Sequence, residues 1–191
     1  LVLAATLAAG GPLLFEAPNG KWVVMSRAGE VLRTFSELAG KRVLDAAVSP
    51  DMKRWAFLSP DAGKDRLWLW EEGGKAPREV PPAGDVLNNP AFSADGQWVY
   101  FIQNDIEAMA RPKEPMRYSQ VWRVRFEGGA PQKLTDTRGC HMWPTPLPKG
   151  GVLFTHATCH GGRGVDLLPA VGAAEQQLRD TESEHGETAI D

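Results

Sequence analysis

The feature that most constrains this sequence is a short motif that recurs along the chain. Residues 93–101, SADGQWVYF, place an Asp-Gly turn in front of a run of large apolar residues. Residues 49–58, SPDMKRWAFL, repeat the motif 44 positions earlier, and residues 144–154, PTPLPKGGVLF, carry a third copy with Lys-Gly at the turn. A fainter copy lies at residues 6–15, TLAAGGPLLF. Repetition at this period indicates an array of similar supersecondary units.

A second apolar strand, a glycine turn and a short polar strand follow each copy. The second strands lie at residues 22–25, 67–70, 121–124 and 165–168, and the closing strands at 31–34, 77–80, 131–135 and 175–178. Each unit is therefore expected to hold four short strands joined by hairpins over about 45 residues, the size of a propeller blade. The predicted blades are approximately 1–38, 39–82, 83–136 and 137–191.

The sequence thus predicts an all-β chain, a β-propeller of four-stranded antiparallel blades with about four blades present. The 20 glycines and 15 prolines suit short strands and tight turns. In VWRVRF, residues 121–126, alternation puts Val121, Arg123 and Arg125 on one side of the strand and the apolar Trp, Val and Phe on the other. The alternative is an unrelated antiparallel sandwich with a chance repeat.

The motif also resembles a known family. FSADGQWVYF followed by VWRVRFEGGAPQKLTD is similar to the repeat of the TolB-type, WD-repeat-like β-propellers, with its Ser-Pro-Asp-Gly turn, aromatic strand, Gly-Gly and closing Leu-Thr. The resemblance covers residues 41–160; the fourth unit lacks the Asp and the first is faint. The same blade occurs in the propeller that caps prolyl-oligopeptidase-like enzymes. Because the family usually closes with six or more blades, the resemblance implies an incomplete, open propeller; a self-closed ring of four blades is the alternative.

Composition limits the partners. The chain of 191 residues has a net charge of -3 and no cluster of Lys and Arg interleaved with aromatics, which argues against nucleic acid. No apolar run is long enough to span a bilayer, so no transmembrane segment is predicted. Residues 1–11, LVLAATLAAGG, fit either the end of a secretory signal or an Ala-rich strand.

An insertion interrupts the period in the third unit. Residues 104–119, NDIEAMARPKEPMRYS, lengthen the loop between its two central strands. Insertions on one face of a repeat array often bind partners, although a surface loop without a role is the alternative. The predicted partner-binding residues of this loop are Asn104, Asp105, Arg111, Lys113, Arg117 and Tyr118.

Both cysteines fall in the fourth unit. Cys140 lies in the link that enters the unit and Cys159 follows its second strand, and both positions are expected at the same face. A disulfide between them is a hypothesis that implies an oxidising compartment. Two thiols in a cytosolic chain are the alternative.

Three of the four histidines surround these cysteines. His141, His156, Cys159 and His160 contain the residue types of a zinc site, but no CxxC pair accompanies them, so no metal is predicted and zinc stays an alternative. Packed or solvent-facing histidines are the expected explanation of the pattern.

The sequence offers little for catalysis. It has no GxSxG nucleophile elbow and no phosphate-binding loop, so neither catalytic residues nor a cofactor is predicted. The leading hypothesis is a non-catalytic module that binds a protein, peptide or glycan, in the periplasm or secreted, with the cytoplasm as the alternative. A gating propeller of a prolyl-oligopeptidase-like peptidase and a metal- or carbohydrate-processing propeller are the other hypotheses.

Overall fold

The structure is a computed structural model. It describes residues 3–6, 13–16, 21–26, 28–35, 42–61, 64–74, 76–81, 86–104, 119–137, 139–157 and 163–180. Within these ranges the backbone forms strands and turns, and no residue is helical.

Sixteen strands are formed in these ranges, four in each blade. They are β1 (Leu3–Thr6), β2 (Leu13–Glu16), β3 (Trp22–Met25), β4 (Val31–Phe35), β5 (Asp45–Val48), β6 (Arg54–Asp61), β7 (Lys64–Glu71), β8 (Arg78–Glu79), β9 (Val86–Phe92), β10 (Trp98–Asn104), β11 (Ser119–Arg125), β12 (Gln132–Lys133), β13 (Cys140–Pro146), β14 (Val152–Ala157), β15 (Arg163–Leu168) and β16 (Gln176–Asp180). Within each blade, consecutive strands pair antiparallel in chain order.

The turn between β9 and β10 is closed by the side chains of Ser93 and Asp95. The hydroxyl of Ser93 donates to Asp95 Oδ1 at 2.5 Å and accepts from the backbone N of Trp98 at 2.9 Å. The backbone N of Gln97 also donates to Asp95 Oδ1, at 2.9 Å. Gly96 supplies the positive φ of 67° that this turn needs. The recurring Ser-x-Asp is therefore a local fold signal.

The turn between β5 and β6 repeats this arrangement. Ser49 donates to Asp51, and the backbone N of Arg54 donates to Ser49 Oγ at 3.0 Å. The side chain of Arg54 then reaches the neighbouring blade, where its Nη1 donates to the carbonyl O of Gly96 at 2.8 Å. A hydrogen bond from a side chain thus connects the β5–β6 turn directly to the β9–β10 turn.

Alternate residues of the second strands face opposite neighbours. In β6, Trp55 and Phe57 pack towards the first blade, while Ala56 and Leu58 pack towards the third. In β10, Val99 and Phe101 face the second blade, whereas Tyr100 and Ile102 face the fourth. These strands are apolar on both sides because a blade covers each side.

Three apolar clusters fill the spaces between successive blades. The first joins Trp22 and Val24 to Val43, Ala46, Val48, Trp55, Phe57 and Trp70; the second joins Ala56, Leu58, Leu67, Leu69 and Val80 to Val99, Phe101, Val124 and Phe126; the third joins Tyr100, Ile102 and Val121 to Val152, Phe154 and Leu168. Burying these side chains is the main contribution that holds the blades together.

The four blades follow one another around a common axis. Their first strands contact each other in the order β1, β5, β9, β13. Blades three and four are also joined by the backbone, since Ser119 at the start of β11 pairs in parallel with Cys140 at the start of β13. The described strands form the blades of an open β-propeller arrangement, and the predicted all-β propeller class is confirmed.

Candidate functional site

The first strands of blades three and four each contain an irregularity at the same place. Asn89 in β9 and Trp143 in β13 have positive φ values of 58° and 51°, and a proline follows each of them. The pairing register with the next strand shifts at both positions, as in a β-bulge. The two residues are thus equivalent members of the repeat.

A chain of hydrogen bonds connects the first strands of three blades through these bulges. The backbone N of Trp143 donates to Asn89 Oδ1 at 3.3 Å, and the backbone N of Asn89 donates to Asp45 Oδ2 at 2.8 Å. Asp45 Oδ1 accepts from the N of Ala46 at 2.8 Å. Burial raises the pKa of Asp45, although these two backbone hydrogen bonds oppose the shift.

Trp143 is the unusual member of this chain. Asn tolerates the left-handed backbone region, whereas a bulky side chain there is a strained outlier. Trp143 is also 56% exposed, so no core packing compensates for the strain. Strain of this kind concentrates at binding sites, where surrounding structure holds a residue in position. The geometry thus presents an exposed indole ring on the innermost strand, at a residue whose backbone N is bound by Asn89.

Sequence reasoning did not single out Trp143. A signal was present, because the spacing between Asn89 and Trp143 equals that between Trp68 and Trp122, the aromatic residues of successive third strands. A proline follows both residues, so the Asn-Pro and Trp-Pro pairs mark the same position in the repeat. The inserted loop of the third unit hid this equivalence by changing the period.

A second polar cluster lies at the seam between blades three and four, around His141. His141 is 1% exposed, and its two ring nitrogens contact different partners. Nδ1 lies 2.5 Å from the carbonyl O of Ser119, which identifies Nδ1 as the donor. Nε2 lies 3.1 Å from Thr137 Oγ1 and 3.8 Å from Glu175 Oε2. This imidazole therefore connects the blades.

Glu175 belongs to the same network. Its Oε2 accepts a hydrogen bond from Thr137 Oγ1 at 2.8 Å. Burial by itself raises the pKa of Glu175, but the hydrogen bonds from His141 and Thr137 outweigh burial and hold this pKa below its ordinary value. The carboxylate is consequently held in its ionised form beside the imidazole.

His156 and Asp166 form the second half of the cluster. His156 Nδ1 lies 2.8 Å from Asp166 Oδ2, but off the direction of a hydrogen bond. Among the described residues, His156 Nδ1 and Asp166 Oδ1 have no hydrogen-bond partner. Burial raises the pKa of Asp166, the neighbouring His156 opposes this rise, and Glu175 adds to it.

The structure describes the predicted site residues only in part. Asn104 is the last residue of β10 and pairs with Ser119, whereas Asp105, Arg111, Lys113, Arg117 and Tyr118 lie outside the described residues. Cys140 pairs with Ala157, and Cys159 and His160 lie outside the described residues.

The predicted histidines come together, since His141 and His156 are cross-strand partners. Where the structure describes the chain, no three His, Cys, Asp or Glu side chains form a group suited to a metal ion. Both ring nitrogens of His141 are already in contact with protein groups. In the described part of the cluster, His141 thus connects blade four to blade three.

The fold and its repeat define a class, the β-propeller domains. The chain belongs to the family described as the lipoprotein LpqB β-propeller domain (Gmad1), which matches residues 23–135. A relative, the uncharacterized protein Atu1656 of Agrobacterium fabrum, is 32% identical over 200 aligned positions that cover 73% of this chain and 64% of the relative. This chain thus spans less than two thirds of that relative.

Solved structures share the fold at low identity. TolB from Acinetobacter baumannii superimposes with a TM-score of 0.62 at 16% identity over 89% of this chain and 40% of its own. A puromycin-hydrolyzing peptidase of Mycobacterium tuberculosis gives a TM-score of 0.60 at 16% identity over 93% of this chain and 29% of its own. The resemblance to TolB-type propellers is confirmed, and these likenesses concern the fold. In the described part of the chain, no helix is long and apolar enough to cross a membrane.

Proposed function

We propose that this chain is a binding module whose first strands and neighbouring loops dock a protein or peptide partner, with Trp143 as the central anchor. The observation that supports this proposal is an exposed indole on a residue whose backbone is strained and whose backbone N donates a hydrogen bond to Asn89 Oδ1. Tryptophan is the side chain most enriched among residues that dominate binding energy. Propellers in general use the ends of their strands and their central surface for this purpose.

We propose that the loop at residues 104–119 also takes part in the docking surface. It ends at Ser119, which hydrogen-bonds to His141 in the strand that carries Trp143. Basic and aromatic side chains of this loop are proposed to extend the contact around the indole. The residues proposed for it are Asn104, Asp105, Arg111, Lys113, Arg117 and Tyr118.

The test is selection of peptides on the purified chain from a random library. Selected peptides should bind Trp143→Asn at least tenfold more weakly than wild type, because the loss of a buried aromatic anchor removes about 2 kcal/mol or more. Asparagine is chosen because Asn89 shows that it fits this backbone position. Leu178→Ala is the control, since Leu178 is an equally exposed apolar residue on the outermost strand β16.

Two results would contradict the proposal. One is that no peptide is enriched over several rounds. The other is that selected peptides bind Trp143→Asn and wild type equally well. Selection of glycan ligands from an array, abolished by the same substitution, would replace peptide by carbohydrate as the partner and would also overturn the proposal.

We further propose that the module works outside the cytoplasm. The lipoprotein description of the family and the likeness to TolB support an envelope location. A Cys140–Cys159 disulfide would fit this location, and Cys159 lies two residues beyond Ala157, the cross-strand partner of Cys140. Mass spectrometry of the native protein after maleimide treatment tests it: two labelled thiols would contradict the disulfide.

A further inference from the structure

A groove of about 200 Å³ lies between blades three and four, at the edge where the β13–β14 and β15–β16 turns meet. Blade three contributes Tyr100, Arg123 and Leu134 to its wall. Blade four contributes the two turns, residues 149–152 and 168–171. This groove holds the end of a side chain or chain terminus rather than a large ligand.

Arg123 is fixed in position at one wall of the groove. Its guanidinium carbon lies 3.9 Å from the ring centroid of Trp98, and its Nε donates to Gln132 Oε1 at 3.1 Å. These contacts occupy the Nε–H and one face of the planar guanidinium group. The terminal nitrogens are left for a planar acceptor, and a pre-positioned guanidinium loses little side-chain entropy on binding.

The groove carries positive charge without a matching carboxylate. Some cations of the described chain have ionic partners: Arg33 lies 2.5 Å from Glu72 and Arg66 lies 3.5 Å from Glu79. Among the described residues, neither Arg123 nor Lys149 forms such a pair. Two unpaired cations at one groove, in a chain whose net charge is -3, create a local site for an anion.

The remaining wall of the groove is apolar. The side chains of Leu134, Val152, Leu168 and Val171 line it. The turn beside them is tightly packed, because a Cβ at Gly151 would lie 2.7 Å from the carbonyl O of Leu168. A fully hydrated anion such as phosphate would gain nothing from this wall, whereas a branched aliphatic group would bury its surface there.

We propose that this groove binds a carboxylate that carries an adjacent branched aliphatic group. Arg123 receives the carboxylate in a bidentate arrangement, Lys149 adds charge from the opposite turn, and the aliphatic group lies against Leu134 and Val171. The carboxyl end of a polypeptide that finishes in Leu, Ile or Val and a small free branched acid share this chemistry. The site is separate from Trp143, so the proposal stands whether or not the proposed docking function is correct.

The test is an NMR titration of the isotope-labelled chain with three probes. Acetyl-Gly-Gly-Leu represents a chain terminus, its C-terminal amide is the neutral control, and 4-methylpentanoate represents a free acid. We expect a Kd of about 1 mM for at least one acid, as is usual for a ligand of this size. The Nε–H of Arg123 and the amides of Gly150 and Gly151 should shift, and the neutral amide should give no saturable shift. Tighter binding of the peptide identifies a chain terminus as the source, and tighter binding of the free acid identifies a small molecule.

Matched variants complete the design. Arg123→Gln should weaken binding by about tenfold or more, since a charge-assisted bidentate contact is lost. Arg125→Gln should leave it unchanged, because Arg125 contacts the same Trp98 ring but does not line the groove. Lys149→Gln, on an exposed turn, should weaken binding without disturbing the fold. Inorganic phosphate is titrated in the same way as a hydrated-anion control. The proposal fails if neither acid binds, if the amide or phosphate binds as tightly as the acids, or if Arg123→Gln and Arg125→Gln behave alike.

Discussion

Met52 and Gly96 occupy the same position in successive Ser-x-Asp turns, and both have a positive φ, 58° and 67° respectively. Glycine adopts this region without a steric penalty, but a residue with a Cβ is disfavoured by about 1–2 kcal/mol. The turn of the second blade therefore contains strain that the turn of the third blade lacks.

Met52→Gly should raise the free energy of unfolding. The relief of backbone strain exceeds the extra flexibility of glycine in the unfolded chain, which costs about 0.5–1 kcal/mol, so the net gain is up to about 1 kcal/mol. Urea denaturation measures this gain. The reverse change, Gly96→Met, is the control: a Cβ there meets Ser49 Cβ at an ordinary 3.6 Å, so its cost is backbone strain. A loss of stability in Met52→Gly would contradict the argument.

Acidification should weaken the two turns. The hydrogen bond from Ser93 and then that from the N of Gln97 lower the pKa of Asp95, and the pKa of Asp51 is lowered in the same way by Ser49 and Lys53. A lowered pKa in the folded state means stability that is present above the unfolded value, about 3.9, and is lost as the pH falls through the folded value. Both carboxylates are largely exposed, so solvent reduces the effect.

Asp95→Asn tests this dependence, because both hydrogen bonds at the turn end on the one oxygen Oδ1, which an amide retains. The variant should lose less stability than wild type between pH 5 and pH 2, as measured by thermal unfolding across that range. Identical pH profiles for the two proteins would show that the carboxylate charge contributes nothing.

Trp122 should contribute substantially to the space between blades two and three. Its ring is partly buried against the second apolar cluster, and it pairs across the sheet with Phe101. Trp122→Ala should lower the free energy of unfolding by about 3 kcal/mol, near the lower end for aromatic truncation because burial is incomplete. Trp122→Phe should cost about 1 kcal/mol, since most of the contact area remains. Equal stability of Trp122→Ala and wild type would show that the ring does not hold the blades together.

His141 should stabilise the seam between blades three and four. His141→Ala removes the donor to the carbonyl O of Ser119 and the edge-on contact with Phe154 at 5.0 Å. It also removes the imidazole that lies beside Thr137 and Glu175. We expect the free energy of opening this seam to fall by about 3 kcal/mol. Faster hydrogen exchange at the N of Ser119, with unchanged exchange in β6, would locate the effect. Uniformly faster exchange throughout the chain would contradict a local role.

The sequence predicted the features that each repeat contains within itself. The turn at Asp95 could be inferred because Ser, Asp and Gly act within a few residues of one another. The opposite faces of Trp122 and Val121 could be inferred because side chains alternate along any strand. Both depend on local geometry, and the structure confirms them.

The sequence predicted much less of the contacts between repeats. The link between Asn89 and Trp143 requires two bulges to lie side by side, and the insertion at residues 104–119 displaced the second from its expected period. The contact of His141 Nδ1 with the carbonyl O of Ser119 joins blade four to blade three. Both relationships are set by strand twist and by how neighbouring blades pack, which periodicity does not encode.

The parallel pairing of Ser119 with Cys140 divides the chain into mechanically unequal parts. Blades three and four share one continuous backbone network, whereas β5–β8 form a separate sheet. Under a pulling force or in mild denaturant, this backbone pairing should make blades three and four separate later than their apolar cluster alone would allow. The architecture repeats in single blades, but blades three and four should therefore resist separation as a pair.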